Sequence, residues 1–223
     1  MTYRQVQMKT RLIFASIILQ ILTVPLWANW TACDIGASGN IGVQIQVTPM
    51  EKPDGTLNFT LSAGGTPLAD KTDGLGFASA PAKMKGDCEI MVQVVSISPG
   101  KQDWAAGGVM VRENFGAGSK FFAAAFTRGH GIQNFVRNAD SAAVTAQENC
   151  SDCSPPSWLK IVRQGNHFTS YKSMDGRIWL EISEADVPMK KNAWVGVFTT
   201  GGGGATSADV AFARVTTREN AGQ

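Results

Sequence analysis

The chain has 223 residues with 20 Lys and Arg against 18 Asp and Glu, and 43% of its residues are hydrophobic. Three of the basic residues and none of the acidic ones lie in the first 28 positions, so the remaining 195 residues carry a formal charge of −1. Without the first 28 positions, no basic stripe remains to argue for a nucleic-acid-binding surface, and no nucleic-acid partner is expected.

The N-terminus has the pattern of a secretory signal peptide. Its features are a basic region at Arg4, Lys9 and Arg11, an apolar stretch from Leu12 to Leu22, and the small residue Ala28 before Asn29. The alternative is an uncleaved membrane anchor, but the apolar stretch is about half of the ~20 residues that a spanning helix needs. We therefore expect removal of residues 1–28, no stable membrane span afterwards, and a secreted or periplasmic protein.

Residues 29–223 contain almost no helical periodicity. Short runs rich in β-branched and aromatic residues alternate with Gly, Asp, Asn and Pro, which is typical of a sandwich or barrel. The predicted strands are 41–47, 57–62, 76–80, 88–97, 107–112, 120–127, 131–137, 158–164, 166–173, 178–182, 193–199 and 208–216. A chain of this length suits one domain, and we expect a single all-β domain over 29–223.

The stretch from Trp158 to Ile182 has the strongest turn signals. Gln164-Gly165-Asn166 and Asp175-Gly176 separate three runs of mixed apolar and polar residues. Gly and Asn tolerate positive φ, so each of these sites suits a tight reversal between antiparallel strands. The stretch therefore predicts three consecutive antiparallel strands.

All four cysteines follow the predicted signal, and disulfides are the default in an oxidising compartment. Cys150-Ser-Asp-Cys153 lies in a Ser/Asp/Pro loop and not at the start of a helix, which favours a local disulfide over a redox or zinc site. Zinc would also need two further ligands, and His130 and His167 are the chain's two histidines. The remaining two cysteines, Cys33 and Cys88, are then predicted to pair.

Several sequence blocks in order resemble a known superfamily. They are Trp30 with Asp34-Ile35-Gly36, Asp73 to Phe77, Gly86 to Ile90, Trp104 to Arg112, Trp158 to Asn166, and Ser173 to Trp179. Together they resemble the concanavalin A-like lectin/glucanase superfamily, and within it the secreted bacterial laminin G-like branch related to the β-xylosidase C-terminal accessory domain. The resemblance spans roughly residues 30–217. It implies a two-sheet antiparallel jelly-roll sandwich with a concave face that often holds sugar.

The chain departs from that superfamily at the positions that matter for hydrolysis. Its laminarinase-type enzymes carry paired carboxylates in an E-x-D-x-x-E strand, and no such strand occurs here. Glu148, Glu181 and Glu184 are isolated near turns, whereas a glycosidase needs two carboxylates that face one cleft. No catalytic residue is therefore assigned, and function has to be argued from the site because the fold alone does not supply it.

Binding fits the sequence better than catalysis. Sugar sites are concave and combine aromatic faces with a few planar polar side chains. The candidate ligand-binding residues are Trp104, Arg112, Gln133, Arg137, Tyr171 and Trp179. Structural roles are the alternative for each of them: core or hairpin packing for the tryptophans, a buried ring with a bonded hydroxyl for Tyr171, and ion pairing for the arginines.

These observations favour a secreted non-catalytic β-sandwich that binds a polysaccharide or cell-surface glycan. The alternatives are a structural or protein-interaction module of the envelope or matrix and, third, a glycoside hydrolase. Calcium stays an open alternative as a cofactor, with Asp34 beside the 36–40 loop or Asp209 as contributors, although no D-x-D-x-D-G series is present. The sequence leaves the oligomeric state undetermined.

Overall fold

The computed structural model describes residues 30–36, 44–47, 57–98, 102–203 and 206–219, and every regular element there is a β-strand. The strands are β1 (Thr31–Ile35), β2 (Gln44–Val47), β3 (Leu57–Ala63), β4 (Leu75–Ser79), β5 (Met84–Lys85), β6 (Cys88–Ser98), β7 (Ala106–Arg112), β8 (Phe121–Thr127), β9 (Gly131–Arg137), β10 (Thr145–Cys150), β11 (Ser157–Gln164), β12 (His167–Ser173), β13 (Leu180–Asp186), β14 (Asn192–Thr200) and β15 (Ala208–Glu219). The predicted signal peptide lies outside the described residues. Within them, no helix is long and apolar enough to cross a membrane.

The strands form two antiparallel sheets. The front sheet has the order β1-β4-β14-β7-β8-β9-β10, and β5 pairs with β14 beside this path. The back sheet has the order β13-β12-β11-β6-β15-β3-β2. Strands distant in sequence, such as β14 between β4 and β7, are neighbours, so the chain crosses repeatedly between the sheets. The prediction of an all-β, two-sheet antiparallel jelly-roll sandwich is confirmed.

The main core fills the space between the two sheets. Successive residues of a strand point to opposite faces, so alternate positions such as Val109 and Val111 of the front sheet meet Ile90 and Val92 of the back sheet. Each large apolar side chain buried there contributes roughly 1.5–3 kcal/mol. One polar link crosses the same space, because Asn134 Nδ2 donates to Ser170 Oγ at 2.8 Å.

A second apolar layer covers the outer face of the front sheet. The alternate residues Met110, Phe121 and Phe135 belong to this layer, and Leu68 from the covering loop (residues 64–74) packs onto it. The front sheet is therefore buried on both faces, and every residue of β7 and β8 is buried. This explains why those strands are nearly continuous apolar runs in the sequence.

The predicted hairpins are confirmed, with one shifted strand. Gln164 pairs with His167 across a two-residue turn in which Gly165 has φ 62°, a conformation that suits glycine. The third strand begins at Leu180, two residues later than predicted, because the Asp175 carboxylate accepts the N–H groups of Arg177 and Ile178 and holds them in the turn.

Three strands of the structure, β1, β5 and β10, were not predicted from the sequence. β5 has two residues, and β1 is a short strand beside β4 whose sequence offers little apolar alternation. β10 has the sequence TAQENC and is mostly exposed, so it gives no strand signal of its own and depends on pairing with β9. Edge strands of this kind are specified by their neighbour more than by their own composition.

One of the two predicted disulfides is present. Cys150 and Cys153 are bonded, with their Cα atoms 5.4 Å apart. The predicted Cys33–Cys88 bond is wrong, because both residues are free cysteines. Cys33 packs on the outer layer of the front sheet, whereas Cys88 lies in the core between the sheets, so their side chains are in separate parts of the protein.

Candidate functional site

The six candidate binding residues occupy three separate places. Trp104 and Gln133 lie beside a cavity on the outer face of the front sheet. Arg112 and Arg137 lie at the opposite end of the same face and are fully buried. Tyr171 and Trp179 lie on the outer face of the back sheet, where both rings contact Lys160. The six residues therefore do not form a single site.

The two arginines share one buried carboxylate. Arg112 Nη2 lies 3.3 Å from Asp73 Oδ2, and Arg137 Nη2 lies 2.8 Å from Asp73 Oδ1, with all three side chains closed to solvent. The second contact is electrostatic, without hydrogen-bond alignment at Oδ1. Burial raises the pKa of Asp73, and the nearby Arg137 and Arg112 oppose that effect.

The remaining guanidinium donors serve backbone carbonyls. Arg112 donates to the carbonyls of Asn114 and Gly116. Arg137 donates to four more carbonyls, those of Asp70, Ala117, Ser119 and Ala142. These bonds hold the covering loop and two neighbouring turns on the sheet. Every group involved is inside the protein, so this cluster has a structural role and offers nothing to a ligand at the surface.

The aromatic pair on the back sheet, Tyr171 and Trp179, also has a partner within the protein, the Lys160 side chain. Lys160 Nζ lies 4.7 Å from the ring centroid of Tyr171 and 4.4 Å from that of Trp179. The cation lies against one face of each ring, and that face is then not free to stack on a ligand. Partial burial lowers the pKa of Lys160.

Trp104 is different because much of its surface is free. The side chain is 41% exposed, and one ring face stacks on His130 with centroids 3.9 Å apart and planes inclined by 24°. Two short loops hold this pair: Gly129 N donates to Asp103 O at 2.9 Å, and Arg128 N donates to Ala105 O. Gly129 packs so closely on Asp103 that a Cβ there would lie 2.5 Å from the Asp103 Cβ.

Trp104 borders a cavity of about 290 Å³. Its walls come from the covering loop, from β7, β9, β10 and β14, and from Trp104 itself; they are Pro67, Leu68, Ala69, Trp104, Ala106, Phe135, Ala146 and Thr200. The small side chains at Ala106 and Ala146 leave this part of the sheet surface open beside the bulkier Phe135. The walls are almost entirely apolar.

Two polar side chains flank the cavity. Gln133 precedes Phe135 by two positions on β9, so both point to the outer face, and Gln133 pairs in register with Glu148 of β10. Gln133 Nε2 donates to the His130 carbonyl at 3.0 Å and to Glu148 Oε2 at 3.4 Å. Gln133 is nearly fully buried and held in place, while the Glu148 carboxylate is exposed to solvent.

The sequence marks Trp104 and Gln133 as candidates, but it does not indicate the residues that contact them. From the sequence alone, His130 is a loop residue between two glycines and Glu148 is an isolated acid near a turn. The position of Glu148 depends on β10, an edge strand without a sequence signal, and that of His130 on a contact with Trp104, 26 positions away in the chain. No feature of the sequence pairs Gln133 with Glu148.

The structure gives no support to a metal centre among the residues it describes, where no three His, Cys, Asp or Glu side chains cluster as metal ligands would. Asp34 is an exposed residue of β1, and most of the 36–40 loop proposed to assist it lies outside the described residues. Asp209 is half-buried on β15. Of the described residues that line the Trp104 cavity, none carries a carboxylate, so these walls do not supply the carboxylate pair that a glycosidase uses.

No family model matches the chain, and no curated protein matches it. Among solved structures, a functionally unknown protein from Saccharomyces cerevisiae is similar with a TM-score of 0.60 and 18% identity, over 79% of this chain and 98% of that one. Lectin I-B4 from Griffonia simplicifolia, in metal-free form, has a TM-score of 0.49 and 10% identity, over 92% of this chain and 96% of the lectin.

The GH43 protein BlXynB from Bacillus licheniformis has a TM-score of 0.47 and 16% identity. The match covers 76% of this chain and 34% of that protein, so the chain spans about a third of its length. At these identities the similarities concern the fold alone. What this chain shares with its structural neighbours is the antiparallel β-sandwich, and its function depends on its own surface residues.

Proposed function

We propose that this protein is a secreted, non-catalytic carbohydrate-binding β-sandwich of the bacterial laminin G-like type, with one domain over residues 29–223 after removal of its signal peptide. Its ligand is a polysaccharide or a cell-surface glycan. The binding site is the outer face of the front sheet around Trp104, Gln133 and Glu148.

The observation that carries this proposal is the exposed Trp104 ring beside a concave surface with preorganised polar neighbours. A pyranose ring presents an apolar C–H face that packs on an aromatic ring and hydroxyl groups that need planar hydrogen-bonding partners. Trp104 supplies the aromatic surface, and His130 behind it fixes the ring orientation. The Glu148 carboxylate supplies a strong acceptor for sugar hydroxyls.

A glycan array tests the proposal. The whole sequence is expressed in an exporting host, and the purified, folded protein is screened with and without calcium. We expect reproducible binding to at least one glycan, at least tenfold weaker in Trp104→Ala and weaker in Glu148→Gln, because these changes remove the stacking surface and the charged acceptor.

Trp179→Ala is the matched control. It removes the same type of side chain from the outer face of the opposite sheet, and we expect it to leave glycan binding unchanged. Binding that is lost in Trp179→Ala but kept in Trp104→Ala would place the site on the back sheet and contradict the proposal. A blank array with folded protein in both calcium conditions would also contradict it.

A separate observation favours the second candidate, a structural or protein-interaction module. Three large apolar side chains near the β12–β13 turn are strongly exposed: Met174 by 81%, Ile178 by 72% and Leu180 by 59%. They border a cleft of about 470 Å³ that also touches the Cys150–Cys153 loop. A contiguous exposed apolar patch of this kind is typical of protein contact surfaces. Under this alternative, Ile178→Ser would abolish partner binding and Trp104→Ala would not.

A further inference from the structure

The cavity beside Trp104 has a chemical character that an ordinary hexose does not match. Its lining is apolar except for Thr200, whose hydroxyl already donates to backbone carbonyls, with Thr66 O at 2.8 Å and Gly74 O at 3.2 Å. The Gly202 N–H in turn points at the same hydroxyl from 3.4 Å. Among the described residues that line the cavity, a sugar hydroxyl inside it would therefore exchange its hydrogen bonds to water for few or weak partners, which carries a free-energy penalty.

Apart from Thr200, the polar side chains that the structure describes beside this cavity lie at its rim. Gln133 lies two residues before Phe135 on β9, and Glu148 lies two residues after Ala146 on β10, so all four side chains point outward. The Gln133 amide and the Glu148 carboxylate therefore flank the cavity. Trp104 borders the same opening with a ring that is 41% exposed. A ligand seated here meets an aromatic surface and a carboxylate outside and an apolar cavity inside.

We propose that the site selects 6-deoxyhexoses, sugars that carry a methyl group where common hexoses carry a CH₂OH group. The proposal rests on the carbohydrate-binding function proposed above and names its ligand class. The pyranose ring packs against Trp104, its ring hydroxyls face Glu148, and the C6 methyl enters the cavity between Leu68, Phe135 and Ala146.

The dimensions agree with this arrangement. The cavity has a volume of about 290 Å³, whereas one water occupies ~30 Å³ in the liquid. It is therefore large enough for a methyl group and the adjoining edge of a pyranose ring. An N-acetyl group would bring an amide N–H and C=O into the same apolar space without partners. The cavity chemistry therefore favours a C-methyl over an acetamido substituent.

The test compares sugars that differ at a single atom. Methyl α-L-fucoside and methyl α-L-galactoside differ only in the C6 hydroxyl, as do methyl α-L-rhamnoside and methyl α-L-mannoside. We expect at least one 6-deoxy member to bind about tenfold or more tightly than its partner by calorimetric or NMR titration, because the partner would bury an unpaired hydroxyl.

A cavity-filling variant locates the effect. Ala146 is exposed on the edge strand β10, so Ala146→Leu can extend into the cavity opening without disturbing the core. We expect this variant to remove the preference for the 6-deoxy sugar, reducing its binding about tenfold to the level of the hydroxylated partner. Ala143→Leu, at an exposed position just before β10, is the matched control and should preserve the preference.

The outcomes separate this inference from the proposed function. Glycan binding that depends on Trp104 but shows no preference between the paired sugars overturns the inference and leaves the proposed function intact. A preference for N-acetylated sugars with none for C6 methyl overturns it as well. Absence of all sugar binding by the folded protein overturns both, and a methyl preference that Ala146→Leu abolishes supports both.

Discussion

The outer faces of the two sheets differ in how their polar and aromatic groups are satisfied. On the back sheet, Lys160 lies against the rings of Tyr171 and Trp179, so the aromatic faces have an internal partner. On the front sheet, the covering loop and the Arg112–Asp73–Arg137 cluster close most of the surface, and Trp104 stays partly free beside a cavity. Aromatic and charged residues alone therefore do not mark a binding site. Trp104 differs from the back-sheet rings in being held by His130 while 41% of it stays exposed, which is why we propose the site there.

The largest expected effect comes from removing the charge that holds the front face together. Asp73→Ala leaves two buried guanidinium groups without their shared carboxylate, and loss of one partner of a buried ion pair costs about 3–5 kcal/mol. We expect a loss of this size in the free energy of unfolding, measured by urea denaturation. Glu89→Ala is the control, because its pair with the exposed Arg218 should contribute less than about 1 kcal/mol. Equal losses in the two variants would contradict this account.

The second largest effect on stability should come from removing the disulfide between Cys150 and Cys153, which lies where the chain passes between the sheets. The Cys150–Cys153 bond closes a short loop at the point where the chain leaves β10 of the front sheet for β11 of the back sheet. For a loop of this length, the chain-entropy estimate is about 2 kcal/mol. Cys150→Ser together with Cys153→Ser should lower the free energy of unfolding by this amount and weaken the pairing of β10 with β9. Hydrogen exchange of the β10 amides, compared with those of β8, would reveal the local part of the effect, and unchanged β10 protection would argue against it.

A smaller effect should follow from freeing the aromatic rings of the back sheet. Lys160→Met removes the cation that lies over both rings and should cost at most about 1 kcal/mol, because the site is only partly buried. The intrinsic fluorescence of the protein should change as Trp179 loses its neighbour, while the proposed glycan binding at Trp104 should stay the same. A loss of glycan binding in Lys160→Met would contradict the proposal that only the outer face of the front sheet binds the glycan.

The smallest effect should come from low pH, which protonates the Asp175 carboxylate in the β12–β13 turn. The N–H groups of Ile178 and Arg177, followed by the Ser173 hydroxyl, lower the pKa of Asp175. A carboxyl whose pKa is lowered by folding stabilises the folded state above its unfolded pKa near 4, and this contribution disappears as the pH falls through the lower folded value. Relative to their intrinsic rates at each pH, the amides of Arg177 and Ile178 should therefore exchange faster below about pH 4. In Asp175→Asn, this acceleration should be absent, and a pH response identical to that of the unsubstituted protein would contradict the assignment.

The sequence predicted the fold well because its signals are local. Strand β9, Gly131–Arg137, was predicted with the observed bounds, and the Gly165 turn sets the register of β11 and β12 through a single backbone conformation. Alternating apolar positions and turn residues act over a few residues, so they can be read without knowledge of the rest of the chain.

The candidate site was only partly predictable because it depends on contacts between distant segments. Arg112 could not be recognised as buried, since its partner Asp73 is 39 residues away and arrives on the covering loop. Glu148 meets Gln133 only because the unpredicted strand β10 pairs with β9. The Cys33–Cys88 prediction failed for the same reason: it assumed that the cysteines left over must meet, while the fold places them in different layers.

The burial of the front sheet on both faces also bears on solubility before folding is complete. Strand β8 has the sequence FFAAAFT, an uncharged, β-prone run that is fully buried in the folded protein. Until the covering loop packs on the sheet, one face of this strand is an exposed apolar surface. Such a surface can associate with other chains and start intermolecular β-aggregation. Because Asp73 holds the covering loop against Arg112 and Arg137, we expect its loss to cause poor yield and insoluble material as well as reduced stability.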